Sequence, residues 1–99
     1  MDVEFADASL DRLETDPRYD GGFSREIVRA YRRRMQQIRA APDERTFRAL
    51  KSLHFEKLKG DRAGQHSIRL NLQWRLVFRF EGQAPQKVVV VVEIVDYHG

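Results

Sequence analysis

The spacing of apolar residues predicts helices in the first half of the chain. Leu10 and Leu13 are one turn apart in a first helix. Ser24 is placed to cap a second, longer helix, in which apolar residues recur with the 3.6-residue period. Pro42 ends this helix, and a shorter helical segment should follow over 43–50. The predicted inward-facing residues are Ile27, Val28, Tyr31, Met35 and Ile38 of the long helix, with Phe47 and Leu50 of the short one.

In the second half the pattern changes to the two-residue alternation of β-strands. Residues 67–71 and 74–80 each alternate between apolar and polar side chains, and the short link 71–73 predicts a hairpin between them. Residues 87–95 are apolar at both parities, as in an inner strand covered on both sides, and 3–5 is a short candidate strand. The pattern indicates an α+β fold in which helices pack on one face of a small antiparallel sheet, leaving the other face for a site.

Composition narrows the class of protein. With 99 residues the chain is expected to form one domain, 1–99, and 41% hydrophobic with 33% charged residues is typical of a globular protein. A net charge of +3 and a pI near 9.6 favour an anionic partner, weakly. The absence of cysteine excludes disulfides and thiolate chemistry. The acidic N-terminus and short apolar runs predict neither a signal peptide nor a membrane span, so a cytoplasmic location is expected.

Arginines on the predicted hairpin carry the first functional signal. The short turn brings Arg69 and Arg75 onto one face, and Arg79 follows on the same parity. Like charges on a half-buried face repel one another unless an anion, or a carboxylate such as Glu93, lies close to them. Phosphate is the natural anion for such a cluster, so these arginines are predicted to bind the backbone of RNA.

Further basic residues flank this hairpin. Lys57 and Lys59, in the loop that enters the sheet, would extend the phosphate-binding surface, although loop lysines commonly serve solubility alone. The arginines of the long helix are interpreted as a solvated face, some of which would pair with acids of a protein partner. They are Arg25, Arg29, Arg32, Arg33, Arg34 and Arg39.

The chain ends in residues that are able to move or position protons. Asp96, Tyr97 and His98 directly follow the valine-rich strand. Cleavage of RNA by internal transfer needs a base for the 2′-hydroxyl, an acid for the 5′-oxygen and cations near the phosphate, and an imidazole serves as base or acid near neutral pH. Strand parity places Asp96 and His98 on one side and Tyr97 on the other, unless the end leaves strand geometry. The alternative is that these residues form only a polar strand terminus.

Metal and nucleotide cofactors are not expected. The three histidines are widely separated and form no His-Glu-x-x-His pattern, and the segment 60–64 lacks the Lys-Ser/Thr ending of a phosphate-binding loop. His66 is interpreted as an ordinary residue where a loop enters a strand. Phosphoryl transfer by acids and bases requires no cofactor.

Three segments resemble the HigB-type toxins of bacterial toxin–antitoxin pairs, within the RelE/ParE group. They are Leu53-His54-Phe55-Glu56-Lys57-Leu58-Lys59-Gly60-Asp61, Ser67-Ile68-Arg69-Leu70-Asn71-Leu72-Gln73-Trp74-Arg75 and Glu93-Ile94-Val95-Asp96-Tyr97-His98. The resemblance is detailed from residue 53 to the end, whereas the first half matches only in helical character. It implies a RelE/ParE-like fold.

The same resemblance implies an activity and partners. The activity would be metal-independent endonucleolytic cleavage of messenger RNA in the ribosomal A site, which inhibits translation. His54 and His98 would share proton transfer, Tyr97 would stack on or hydrogen-bond the substrate, and Asp96 would orient a histidine. Arg69, Arg75 and Lys59 would hold phosphate. A HigA-like helix-turn-helix antitoxin would neutralise the toxin and alone carry it to operator DNA.

Two other functions remain open from the sequence. ParE-like relatives share the architecture but bind gyrase without being enzymes, and such a protein would not need the ending Asp96-Tyr97-His98. The third hypothesis is an RNA-binding module that does not cleave RNA. Replacement of His98 distinguishes it from the first hypothesis, because the change would leave the function of a pure binding module intact.

Overall fold

The computed structural model describes residues 1–97, which form three helices and a five-stranded sheet. Within this range no helix is both long enough and apolar enough to cross a bilayer. The helices are α1 (Ala8–Thr15), α2 (Arg25–Ala40) and α3 (Arg45–Ala49), and short 3₁₀ turns cover Lys51–Leu53 and Gly60–Arg62. The strands are β1 (Asp2–Phe5), β2 (Glu56–Lys57), β3 (His66–Arg69), β4 (Trp74–Glu81) and β5 (Val88–Asp96).

The strands are arranged in the order β1-β5-β4-β3-β2. Strands β2 to β5 pair antiparallel, as the sequence predicts, but β1 lies parallel to β5, so the sheet is mixed rather than wholly antiparallel. The physical reason for the parallel pairing is the length of chain that connects β1 to β5. Between β1 and its neighbour the chain passes through the helices and three other strands, and a connection of that length permits parallel pairing. The α+β class is confirmed.

The long helix α2 supplies the centre of the core. The Ser24 hydroxyl accepts a hydrogen bond from the Ile27 amide at 3.2 Å and caps the helix, as predicted. Tyr31 is fully buried, and its hydroxyl donates to the Leu10 carbonyl at 2.6 Å, which ties α1 to α2. Burial raises the pKa of Tyr31. The buried residues of α2 are Ile27, Val28, Tyr31, Met35 and Ile38, the predicted set.

A β-bulge reverses the facing of β5 halfway along the strand. Phe78 pairs with Val91, but Val77 pairs with Glu93, so one extra residue of β5 is accommodated between them. Val91 faces the core before the bulge and Ile94 faces it afterwards. Unbroken alternation from Val91 would have turned Glu93 into the core. The bulge therefore keeps this carboxylate outside and directs the following odd-numbered residues to the outer face of the sheet.

Three of the helix arginines are structural, which corrects their interpretation as a solvated face. Arg32 donates to the backbone carbonyls of Leu13, Asp16 and Tyr19 and so holds the link between α1 and α2. Arg34 donates to the Arg69 carbonyl at 2.8 Å, and burial lowers its pKa. Arg39 forms a two-bond ion pair with Glu14. Sequence periodicity did not reveal these roles, because each acceptor lies on a distant part of the chain.

An aromatic cluster closes the other end of the core. Phe47 of α3 is 1% exposed and packs on Phe55, Phe78 and Phe80 with ring centroids 5.8–6.2 Å apart. Leu50, expected to face inward, is 38% exposed, because α3 ends at residue 49 and the chain leaves helical geometry there.

His66 belongs to this aromatic cluster. Its ring stacks on Phe55, with centroids 5.2 Å apart. Its Nδ1 is buried and has no hydrogen-bond partner among residues 1–97, and burial lowers the pKa of the imidazole. The charged groups that act on it are Glu44, which favours the protonated form, and Lys57, Arg48 and Lys87, which oppose it.

Leu76 and Leu72 give a matched test of the core. Leu76 is fully buried in β4, whereas Leu72 in the hairpin turn is 90% exposed. We expect Leu76→Ala to lower the free energy of unfolding by about 2–5 kcal/mol, because it removes buried methyl groups and leaves a cavity. The same change at Leu72 should alter it by less than about 0.5 kcal/mol. Urea denaturation measures both, and equal effects would contradict the assigned facing of the hairpin.

His66 should make the protein less stable in mild acid. Its pKa in the folded state lies below that of the unfolded chain, so unfolding takes up a proton. The stabilisation is present above the unfolded pKa and is lost as the pH falls through the folded one. We expect the free energy of unfolding to decline from pH 7.5 to 5.5, and to decline less in His66→Phe, which keeps a stacking ring. Identical pH profiles for the two proteins would refute this role.

Candidate functional site

A groove of about 730 Å³ lies on the sheet face opposite the helices. Its floor is formed by the outward-facing residues Ser67, Arg75, Val77 and Val95 of three neighbouring strands. The bulge in β5 places Val95 there, because it reverses which residues face outward. The walls are the segment 56–62 and the end of β5. The lining residues of the walls are Glu56, Lys57, Leu58, Lys59, Asp61, Arg62, Asp96 and Tyr97.

Arg75 is the centre of this groove and is only 7% exposed. Its Nε donates to Ser67 Oγ at 2.8 Å, and its Nη2 donates to the His54 carbonyl. The same Nη2 is 3.5 Å from a carboxylate oxygen of Glu56. The guanidinium carbon lies 5.5 Å from the centre of the Tyr97 ring. A buried cation needs such partners, and here they come from every wall of the groove.

His54 and Arg69, both predicted to be site residues, are in contact beside the groove. His54 ends the first 3₁₀ turn in the left-handed region, with φ of 47°, a conformation that is strained for a residue with a side chain. Its Nε2 lies 3.0 Å from Arg69 Nη1. Because a guanidinium only donates, Nε2 is the unprotonated nitrogen in this arrangement. Arg69 is the cross-strand neighbour of Arg75, which confirms the predicted hairpin register.

The end of β5 brings Asp96 and Tyr97 into the same groove. Gln73 in the hairpin turn holds both, since its side chain donates to Asp96 Oδ2 at 3.0 Å and its carbonyl accepts from the Tyr97 amide at 2.6 Å. Tyr97 is 46% exposed. Strand parity alone would have separated the two side chains, but the strand ends at Asp96. His98, the third member of the predicted set, lies outside the described residues.

The two predicted lysines stand on the opposite wall. Lys57 and Lys59 are exposed, line the groove and form no ion pair within residues 1–97. Arg62 anchors this wall to the sheet through an ion pair with Glu93. Glu93, considered from the sequence as one possible neighbour of the hairpin arginines, therefore neutralises Arg62 instead.

Arg79 is not brought to the groove. It lies on the same strand as Arg75 but pairs with Glu81 at 2.8 Å and is absent from the groove lining. Four residues along a strand separate the two by about 13 Å, beyond the reach of one phosphate group. His66 also faces the aromatic cluster and not the groove, as its interpretation required.

Sequence reasoning missed three residues of the site. Ser67 and Glu56 were not singled out, yet both hold Arg75. Gln73 was read only as part of a turn, although it positions the end of β5. The available signal was the shortness of the hairpin, which fixes residue 73 opposite the strand end. Among residues 1–97 no three histidine, aspartate or glutamate side chains gather as a metal site requires.

The fold is similar to that of solved toxin structures. A YoeB/ParE toxin from Agrobacterium tumefaciens matches 99% of this chain and 100% of its own, with a TM-score of 0.60 and 22% identity. The YoeB-YefM complex from Staphylococcus aureus includes a chain that matches with a TM-score of 0.56 and 16% identity, over 100% of this chain and 98% of that one. At these identities the likeness concerns the fold.

Sequence comparison identifies the family. The model of the HigB-like toxin family, described as the RelE-like toxin of type II toxin-antitoxin system HigB, matches residues 3–98. Toxin HigB-1 of Vibrio cholerae serotype O1 is 32% identical over 80 residues, which cover 81% of this chain and 84% of that toxin. The likeness therefore includes the first half of the chain, where the residues alone had indicated only helical character. The chain belongs to the HigB-like toxins, the RelE-like toxins of type II toxin–antitoxin systems.

Proposed function

We propose that this toxin is an endoribonuclease that cleaves messenger RNA in the ribosomal A site and so inhibits translation. The observation that carries the proposal is the groove on the outer face of the sheet, which Arg75 and the Asp96-Tyr97 strand end line, while Arg69 and the His54 imidazole lie beside it. Membership of the HigB-like family supports it. A gyrase-binding toxin of the same fold would not require this arrangement.

Phosphate would be held by the hairpin arginines together with the lysines on the wall. Arg75 uses Nε and Nη2 within the protein, and its Nη1 makes no hydrogen bond within residues 1–97. That nitrogen is available to a phosphate oxygen, and the Arg69 guanidinium stands on the adjacent strand. Lys57 and Lys59 would neutralise the charge that builds on the phosphate during transfer.

Proton transfer would be shared between His54 and His98. In the proposed reaction the 2′-hydroxyl attacks the adjacent phosphorus, the bond to the 5′-oxygen breaks, and a 2′,3′-cyclic phosphate forms. The base removes the 2′ proton and the acid protonates the departing 5′-oxygen. The unprotonated Nε2 of His54 favours this residue as the base once Arg69 turns towards the phosphate. His98 would then act as the acid, and no metal ion is needed.

Tyr97 and Asp96 would serve the substrate and the histidines. The half-exposed ring of Tyr97 lies over the Arg75 guanidinium and offers its other side to a nucleobase. Asp96, fixed by Gln73, would orient a histidine and stabilise its protonated form. The presence of both residues in the groove lining supports these roles.

The partner that neutralises the toxin is proposed to be a HigA-like helix-turn-helix antitoxin. Such a partner would be encoded next to the toxin and would alone contact operator DNA. The solved relative from Staphylococcus aureus is a complex of two proteins, YoeB and YefM, which supports a toxin that is held by a second chain.

His98→Gln tests the chemistry. If the imidazole protonates the leaving group, the single-turnover rate of messenger cleavage on programmed ribosomes should fall about 10²–10⁴-fold, while ribosome affinity stays within a few-fold. Growth arrest on expression should disappear with cleavage. Equal cleavage rates for the variant and the unaltered protein would support the alternative that Asp96-Tyr97-His98 form only a polar strand terminus.

Arg69 and Arg79 form a matched pair for the phosphate site. Both are partly exposed arginines on neighbouring strands, but only Arg69 adjoins the groove. Arg69→Gln should lower the cleavage rate by about 10²-fold or more, as loss of a donor to a developing oxyanion does. Arg79→Gln should leave the rate nearly unchanged. The reverse ranking would move the phosphate site towards the C-terminal end of β4.

A further inference from the structure

We propose that three arginines on the outer side of α2 form a second RNA-docking surface, which binds the phosphate backbone of ribosomal RNA while the groove holds the messenger. Arg25, Arg29 and Arg33 are termed the arginine stripe. The inference rests on the proposed function, because it names the larger RNA body in which the messenger would be presented.

The stripe consists of side chains that the fold does not use. The side chains of Arg25, Arg29 and Arg33 are exposed and make no hydrogen bond, ion pair or ring contact within residues 1–97, and the side chain of Arg18 shares this state beside them. Most other arginines in that range are engaged. Ion pairs hold Arg12, Arg39, Arg45, Arg62, Arg75 and Arg79, while backbone carbonyls hold Arg32 and Arg34.

The spacing of the stripe is unfavourable for the helix alone. Arginines four residues apart stand about 6 Å from one another along one face. Like charges at this spacing destabilise a helix by about 0.2–0.5 kcal/mol per pair. A second, shallow groove lies beside the stripe, and Glu26 is the sole acidic residue among those that line it. No ion pair joins Glu26 to the stripe. The repulsion is relieved when an extended anion lies along the stripe.

The chemistry of the stripe suits a nucleic acid. Helix α2 contains six arginines and no lysine. A guanidinium offers a planar pair of donors that fits phosphate and carboxylate alike, but its flat face also stacks on a nucleobase, whereas solubility alone is served as well by lysine. Beside the stripe runs a shallow groove of about 420 Å³ with Ala30 and Leu70 on its floor. An apolar floor with a cationic rim accommodates sugar and phosphate together.

The location of the stripe points to the ribosome rather than to the cleaved strand. Helix α2 packs on the helical face of the sheet, and the catalytic groove opens on the opposite face. The helix and the groove are connected through the β3–β4 hairpin. There Leu70 borders the stripe, and Arg34 of the helix donates to the Arg69 carbonyl. A messenger segment that lies in the groove does not extend around a helix about 10 Å wide to the far side. An RNA body that encloses the toxin reaches both faces at once.

The test compares two triple variants of the full-length toxin that remove equal charge. The stripe variant carries Arg25→Gln, Arg29→Gln and Arg33→Gln, and the control carries Arg45→Gln, Arg48→Gln and Lys51→Gln, at exposed positions that line neither the groove nor the surface around the stripe. Binding to 30S ribosomal subunits programmed with messenger is measured across a salt series. The slope of log affinity against log salt should fall by about 2–3 for the stripe variant, roughly one for each lost phosphate contact. The control slope should stay close to that of the unaltered toxin.

Two further readouts keep the inference separate from folding and from the chemistry. Thermal unfolding of the stripe variant should occur at an equal or higher temperature, because repulsion is removed. Its cleavage rate at saturating subunits should be unchanged. Equal slopes for both variants would overturn the inference, and so would a failure of the unaltered toxin to bind the subunits. It would also be overturned if the stripe variant kept its affinity for the subunits but lost affinity for an acidic antitoxin. If the unaltered toxin cleaved no messenger but the stripe variant still bound the subunits more weakly, the proposed nuclease activity would be overturned and the docking surface would be supported.

Discussion

Burial of the Arg75 guanidinium is the constraint on which the site depends. A cation that is 7% exposed needs partners that compensate its buried charge. Ser67 of the neighbouring strand, the carbonyl of His54 and the carboxylate of Glu56 engage its Nε and Nη2, and the Tyr97 ring lies alongside. Because these partners come from separate segments, the Arg75 side chain sets the distances between the segment that contains His54, the sheet and the end of β5.

Two backbone irregularities complete the groove. The left-handed conformation of His54 turns its carbonyl to Arg75 and its imidazole to Arg69. The bulge between Val77 and Phe78 changes the facing of β5, so that Val91 and Ile94 both enter the core. Backbone strain and bulges are concentrated at functional sites because they direct side chains in ways that regular structure does not. Here both lie at the edges of the proposed RNA-cleaving groove.

Seven of the arginines of this toxin fall into three groups with different physical roles. Arg32 and Arg34 satisfy backbone carbonyls and tie the helices to the rest of the fold. Arg69 and Arg75 are presented on the sheet face beside the strand end. The stripe on α2 serves neither purpose and faces outward. A small basic protein can therefore carry separate surfaces for structure, for the proposed cleavage and for the proposed docking, all made from the same residue type.

The sequence by itself determined the features that depend on local pattern. The period of 3.6 located α2 and its buried face, Ser24 located its start, and the short hairpin placed Arg69 opposite Arg75. Motifs near the chain end identified the family. The partners of Arg32, the parallel pairing of β1, the bulge in β5 and the joint facing of Asp96 and Tyr97 were decided only by the tertiary structure. The physical reason is that each requires a backbone group or strand distant in sequence, and local periodicity carries no information about which distant group will be in contact.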